Sequence, residues 1–248
     1  MNLDFKTAGT QPISEERQVE EKGVSPIVAI VIVIVIAAIG VGSYFILKSG
    51  ERAKAEMPTH LIGEEWTYRV TDDNAYTFHY EVIAEETVDN KDCYVIELLS
   101  TPPYLGGLGG LLSGENTWVE KETGLPVKKQ ISGEYIETPF TKTLTFVYHS
   151  VEDVWPIEVG KEVTATMTVI ENSSLSGTRS TTKTVTLKVE KRENITVPAG
   201  TFTCFKVDSY EYGYKTATSW YSDNAKHYVK RIDYTTGETH ELVSYLIQ

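Results

Sequence analysis

Hydrophobic positions along this chain fall into two unlike regimes. From Val24 to Leu47 no residue is charged, and the stretch Ile30-Val31-Ile32-Val33-Ile34-Val35-Ile36 offers no polar position on any face. A bilayer core needs about 20 apolar residues as a helix, so the run is long enough to span one. Alternating Ile and Val favour strands in water, but in lipid every backbone group must pair within its own segment, so the pattern predicts a helix. Ser25-Pro26 marks its start. Pro fits the first helical position, where its missing N–H has no intrahelical partner, and Ser before it can cap. Beyond Lys48 the period changes. Val163, Ala165, Met167 and Val169 alternate with threonines, and Val185, Leu187 and Val189 alternate with Thr184, Thr186, Lys188 and Glu190. Leu144, Phe146 and Tyr148 make a further such face. Alternation of this kind, broken by Gly, Asn and Pro, predicts half-buried antiparallel strands. No amphipathic helix follows the apolar run. The expected fold class is all-β behind a single N-terminal transmembrane helix.

The organisation that follows is a cytoplasmic leader (1–23), the helix (24–47), a polar linker (48–62) and an extracytoplasmic β domain (63–248). Three landmarks recur in the same order within that domain. Gly63-Glu64-Glu65 matches Gly160-Lys161-Glu162, and Cys93-Tyr94-Val95 matches Cys204-Phe205-Lys206. Trp118 followed by Val127-Lys128-Lys129 matches Trp220 followed by Val229-Lys230-Arg231, at one spacing. Approximate repeats over 63–135 and 160–248 are expected. Two copies are too few for a solenoid, so the expectation is two similar meanders joined into an antiparallel curved sheet or half-barrel, each Trp on its inner face. Val197-Pro198-Ala199-Gly200 reads as a hairpin turn between two strand-like runs.

Charge narrows the function classes. The chain holds 23 Lys+Arg against 35 Asp+Glu, a formal net charge of −12, and no basic cluster exceeds Lys191-Arg192 or Lys230-Arg231. Nucleic-acid binding rests on a basic patch, so nucleic acid is excluded as a partner. The five histidines form no H-E-x-x-H, and Cys93 and Cys204 stand too far apart for a zinc motif. There is no G-x-S-x-G. The acidic pairs Asp72-Asp73, Glu64-Glu65 and Glu85-Glu86 are adjacent residues, which face opposite sides of a strand. No catalytic, metal-binding or cofactor-binding residue is assigned, and the chain is expected to be non-enzymatic. Cys93 and Cys204 are either two core thiols or one disulfide in an oxidising exterior. The uncharged segment from Thr101 to Gly114 contains Tyr104, Leu105, Leu108, Leu111 and Leu112 among glycines. It lacks a phosphate-cradle pattern and is the candidate interaction loop, against the alternative of a hairpin tip tucked onto the sheet. The sequons at Asn172 and Asn194 are candidate glycosylation sites and favour an outside domain.

The stretch Lys22-Gly23-Val24-Ser25-Pro26-Ile27-Val28-Ala29 resembles the N-terminus of archaeal type IV pilin-like proteins, whose class III signal peptide is cut on the cytoplasmic side. The resemblance implies processing between Gly23 and Val24, with an uncut signal anchor as the alternative. It departs from the bacterial pattern at Val28, where those pilins carry Glu. Val154 to Lys161, the V-P-A-G-T-F hairpin and Trp220-Tyr221 resemble exported β domains related to the curved sheets of lipoprotein carriers. Together these imply a membrane-anchored surface protein that is a subunit or accessory of a pilus-like assembly. Its implied partners are the membrane, a prepilin peptidase and other copies or pilin-like subunits. The alternative is a tethered β domain at the cell surface that binds an apolar ligand or a protein and joins no filament.

Overall fold

The computed structural model describes residues 54–71, 76–101, 110–135 and 137–248. The leader, the apolar run with Gly23 and Val24, most of the linker, and Tyr104, Leu105 and Leu108 lie outside the described residues. Among those described, no helix is long and apolar enough to cross a membrane.

The chain forms β1 (Lys54–Ala55), β2 (Glu65–Thr71), β3 (Thr77–Val88), β4 (Lys91–Thr101), β5 (Gly110–Glu120), β6 (Pro126–Tyr135) and β7 (Thr138–Val151). These are followed by β8 (Ile157–Glu158), β9 (Glu162–Ser173), β10 (Gly177–Val197), β11 (Gly200–Glu211) and β12 (Tyr214–Ser222). A 3-10 turn (Asp223–Ala225), β13 (His227–Asp233) and β14 (Thr239–Leu246) complete it. All pairings are antiparallel, and twelve strands close into one barrel, in the order β10-β11-β12-β13-β14-β2-β3-β4-β5-β6-β7-β9. The expected all-β antiparallel class is correct, whereas the half-barrel is not. The reason lies at the two seams. β14 pairs with β2, setting Leu242 opposite Tyr68, and β7 pairs with β9, setting Phe146 opposite Val169. An open sheet would leave two rows of unpaired N–H and C=O groups, and closure removes both.

The paired landmarks occupy matching places. Gly63 N–H donates to Val82 O at 2.8 Å and Gly160 N–H to Val189 O at 2.8 Å. Both glycines have positive φ, +90° and +88°, a backbone that L side chains rarely adopt. The register shifts after Val82 in the β3–β4 pair and after Val189 in the β10–β11 pair. Trp118 Nε1 donates to Glu86 at 2.7 Å, and Trp220 Nε1 donates to Glu193 at 2.9 Å.

Strand alternation sorts the side chains. Directly opposed residues share a side, so Trp66, Tyr80, Leu98 and Glu115 lie on one face, as do Thr117, Lys129 and Leu144. This face is the barrel interior. Trp118 opposes Val95 and Lys128, and Trp220 opposes Lys206 and Lys230, so both lie on the outer strand phase, although both are buried. The expected inner face is corrected, yet Trp220 still belongs to the buried cluster around Trp66, against which Trp155 also packs.

The interior is not uniform. One cluster gathers Trp66, Tyr68, Phe78, Tyr80 and Tyr228 between β2, β3 and β13. A second gathers Leu144, Phe146, Val163, Met167, Val185, Leu187 and Val207 from β7, β9, β10 and β11. β1 and β8 pair as a two-stranded ribbon whose Ala55 and Ile157 pack onto that second cluster, next to Val154.

Candidate functional site

Among the described residues, those selected from sequence stand apart from one another. Asn172 and Asn194 are exposed on β9 and β10, and Asn194 accepts a hydrogen bond from Thr203 Oγ1 at 2.9 Å. Leu111 and Leu112 fall on β5, opposite Glu134 and Gly133. Cys93 and Cys204 are free and buried, on β4 and β11, half the barrel apart in strand order. The disulfide option is thereby closed. Burial pushes the Cys204 thiol up to about 12 and raises that of Cys93, so neither is a ready nucleophile. Among the described residues, no group of three or more His, Cys, Asp or Glu side chains is placed to hold a metal ion.

What the barrel does offer is a recess inside its second cluster. Leu125, Tyr148, Val154, Val163, Ala165, Met167, Val185 and Leu187 line an apolar recess of about 20 Å³, room for roughly one water molecule. A second lobe of about 10 Å³ shares Val154, Val163 and Leu187 and adds Ile157, Lys161, Val189 and Val207. Strand alternation produces this surface. Val163, Ala165 and Met167 project inward from β9, and Val185 and Leu187 from β10, while the intervening threonines pair on the outside. The few polar groups on the wall are committed elsewhere. Tyr148 OH donates to Pro126 O at 3.1 Å, and Lys161 Nζ donates to Pro156 O at 2.9 Å. Burial raises the Tyr148 phenol well above its ordinary value, which removes it from acid–base work near neutrality.

Around the recess the interior turns polar. Lys183 Nζ donates to Glu211 Oε1 at 2.7 Å, with both side chains buried. Lys129 meets Glu115, and Arg231 meets Asp233 at 2.8 Å. Buried charges cost several kcal/mol each unless paired, which accounts for the pairing. Several buried polar atoms nevertheless have no hydrogen-bond partner among the described residues: Ser209 Oγ, Glu211 Oε2, Tyr221 OH and Trp155 Nε1. The rings of Trp155 and Tyr221 meet edge to face at 5.7 Å.

A second buried network, on the aromatic side, is fully satisfied. Tyr68 OH donates to Tyr228 O at 2.5 Å. Its contact with His227 Nδ1 then has the imidazole as donor, which assigns the proton to Nδ1. Burial holds the His227 pKa well below its ordinary value, with His60 adding to the effect. His60 and Lys226 both bind the buried carboxylate of Glu64. Burial alone would raise the Glu64 pKa, but these two hydrogen bonds outweigh it and the net shift is downward. This network ties the start of β2 to the β12–β13 turn.

Sequence reasoning passed over the interior charges, although a signal was available. Lys183 stands in phase with Val185, Leu187 and Val189, and Glu211 in phase with Phe205 and Val207. A charge on the apolar phase of a strand marks a polar interior.

Set beside known proteins, residues 153–236 match the family model DUF3108-like. That stretch holds the Val197–Phe202 hairpin, Trp220 and two recess walls. No curated protein matches the chain. Among solved structures, a protein named as a lipoprotein of Parabacteroides distasonis aligns at 14% identity with a TM-score of 0.36, covering 75% of this chain and 96% of its own. A protein of Bacteroides fragilis, named as exported with a YmcC-like fold, aligns at 11% identity with a TM-score of 0.35, covering 75% and 97%. The pilin-like resemblance is overturned, because the matching family is DUF3108-like and not a pilin family. The pilus-like assembly that it implied is not supported, and the apolar run itself lies outside the described residues.

Proposed function

We propose that this chain is a non-enzymatic binding module of the cell envelope that holds one small apolar molecule inside its barrel. The observation that carries the reading is the two-lobed recess walled by hydrocarbon side chains of β7, β9 and β10. The recess holds about 20 Å³, far below the roughly 300 Å³ of ordinary ligand pockets, so an alkyl chain enters only as the side chains of its wall give way. Met167 suits such a site, because a flexible thioether adapts to irregular shapes. No His, Cys or free nucleophile lies on the wall, which supports binding without turnover. Placement in the envelope is supported by the exposed Asn172 and Asn194 sequons and is read by protease shaving of intact cells. Retention of the barrel's peptides would count against that placement.

The binding test uses N-phenyl-1-naphthylamine, displaced by straight-chain 1-alkanols of rising length. Each buried methylene contributes about 0.8 kcal/mol, so affinity is expected to rise about fourfold per carbon and then level off once the recess is full. Ala165→Leu fills the wall and is expected to abolish displacement while leaving the far-UV spectrum unchanged. A flat length dependence, or an Ala165→Leu protein that binds as before, overturns the reading.

A further inference from the structure

The outer surface of β7, β9 and β10 differs from the rest of this acidic chain. Strand register sets its outward residues in rows, Thr145 beside Ile170 and Ser180, then Val147 beside Thr168 and Thr182. Over Thr145–Val147, Thr164–Ile170 and Ser180–Thr186, no outward position holds Lys, Arg, Asp or Glu. Charge resumes at the borders, with Lys128 on β6 and the Glu162–Lys188 pair at 3.0 Å. The threonine hydroxyls bond one another across the strands. Thr164 meets Thr186 at 3.2 Å, Thr166 meets Thr184 at 3.1 Å, and Thr168 meets Thr182 at 2.9 Å. One donor of each pair is thereby satisfied within the sheet, so drying this face strands fewer polar groups than threonines bonded only to water would. Threonine, valine and isoleucine are stiff at χ1 and lose little rotamer freedom on burial. Val147 and Ile170, at the middle of the face, are 41% and 37% exposed.

These properties select the occupant. Hydroxyls engaged with one another are poorly offered to a sugar, and the face has no Trp or Tyr to anchor it at a bilayer interface. A second sheet packed face to face, about 10 Å away, suits short, level side chains. Charge then picks which sheet. Two copies of a chain with a formal net charge of −12 repel over most of their surfaces, whereas a charge-free face meets its own image without like charges in contact. Independently of what the recess holds, we propose that two copies of this chain pair through β7, β9 and β10, about a two-fold axis near Val147 and Thr168. Three strands about 4.8 Å apart, over about eight residues at about 3.4 Å each, present roughly 400 Å² per copy. A standard interface buries about 800 Å² per partner, so the dimer is weak, with a Kd on the order of 100 µM.

Sedimentation equilibrium of the full chain in density-matched detergent, over about 10–1,000 µM, measures the pairing. The mass is expected to rise with concentration from one chain towards two. Ile170→Lys and Ile170→Glu each set like charges against each other near the axis, and each is expected to weaken association at least about tenfold. An equimolar mixture of the two variants is expected to restore it, because opposite charges then meet. Damage to the fold would not be rescued in this way. Leu61→Lys, at an aliphatic residue 51% exposed beside β2 and half the barrel away, is expected to change nothing. A native chain with the mass of one copy at every concentration overturns the proposal. So does association that Ile170→Lys leaves intact, association lost equally in Leu61→Lys, or a mixture of the two Ile170 variants that stays monomeric.

Discussion

Asp223 opens the 3-10 turn after β12 and is half-buried; burial pushes its carboxyl up to about 6 from 3.8, with Arg192 opposing the rise and Glu56 adding to it. A carboxyl whose folded pKa lies above its unfolded value costs stability when ionised. The cost is full above pH 6, shrinks as the pH falls, and is absent below the unfolded pKa. Asp223→Asn carries the neutral form at every pH. It is therefore expected to be about 1–3 kcal/mol more stable than the native chain at pH 8, and the difference is expected to vanish near pH 4. Urea unfolding across that range measures it, and a difference that grows toward acid contradicts the assignment. His227 acts in the opposite sense. Its folded pKa is depressed, so the unfolded chain takes up the proton first and stability falls below the ordinary imidazole pKa. The two residues share the β12–β13 corner with contrary pH behaviour.

At the scale of paired strands, the cross-strand ion pairs decide more than the apolar alternation does. Lys129 on β6 is fully buried and meets Glu115 on β5. Removing one partner strands the other charge, so Lys129→Ala is expected to cost about 3–5 kcal/mol. Replacing both together, as Lys129→Met/Glu115→Leu, is expected to recover most of that loss. Matched urea midpoints for the single and double variants would refute the pairing. Much of this element scale was legible beforehand. The alternation of β7, β9 and β10, the hairpin after Val197, and the recurrence of Gly-x-Glu, Cys and Trp–x8–Val-Lys all fall where local pattern places them. What alternation could not supply was the side on which each face lies. Trp118 and Trp220 are buried, as their size suggests, yet one-residue parity and a bulge beside each place them on the outer strand phase, where Glu86 and Glu193 receive their N–H groups. The recess was not legible either. Val163 and Leu187 face each other on the paired strands β9 and β10, but Leu125 comes from the turn before β6, and no spacing along the chain encodes the space they enclose together.

Closure is a property of the whole molecule, and it explains why a half-barrel was the natural expectation from sequence. Neighbouring strands in a meander are joined by short turns, so their pairing is local and visible. The seam between β14 and β2 joins Leu242 to Tyr68 and Glu241 to Arg69 across nearly the full β domain, and local pattern carries no trace of such a contact. That seam also completes the interior. Leu242 is fully buried, Arg69 reaches Glu241 across the seam, and Lys230 reaches the same carboxylate from β13. Deleting Thr239–Gln248 would remove the partner of both β13 and β2 and expose two strand edges at once. Exposed edges of this length template association, and the aromatic cluster around Tyr68 would lose one wall. The shortened chain is expected to lose its near-UV signature and to elute as aggregate, even though eleven barrel strands retain their sequences. A soluble monomer with the native near-UV spectrum would mean that the barrel tolerates an open seam, and the recess between β7, β9 and β10 would then not depend on closure at β14.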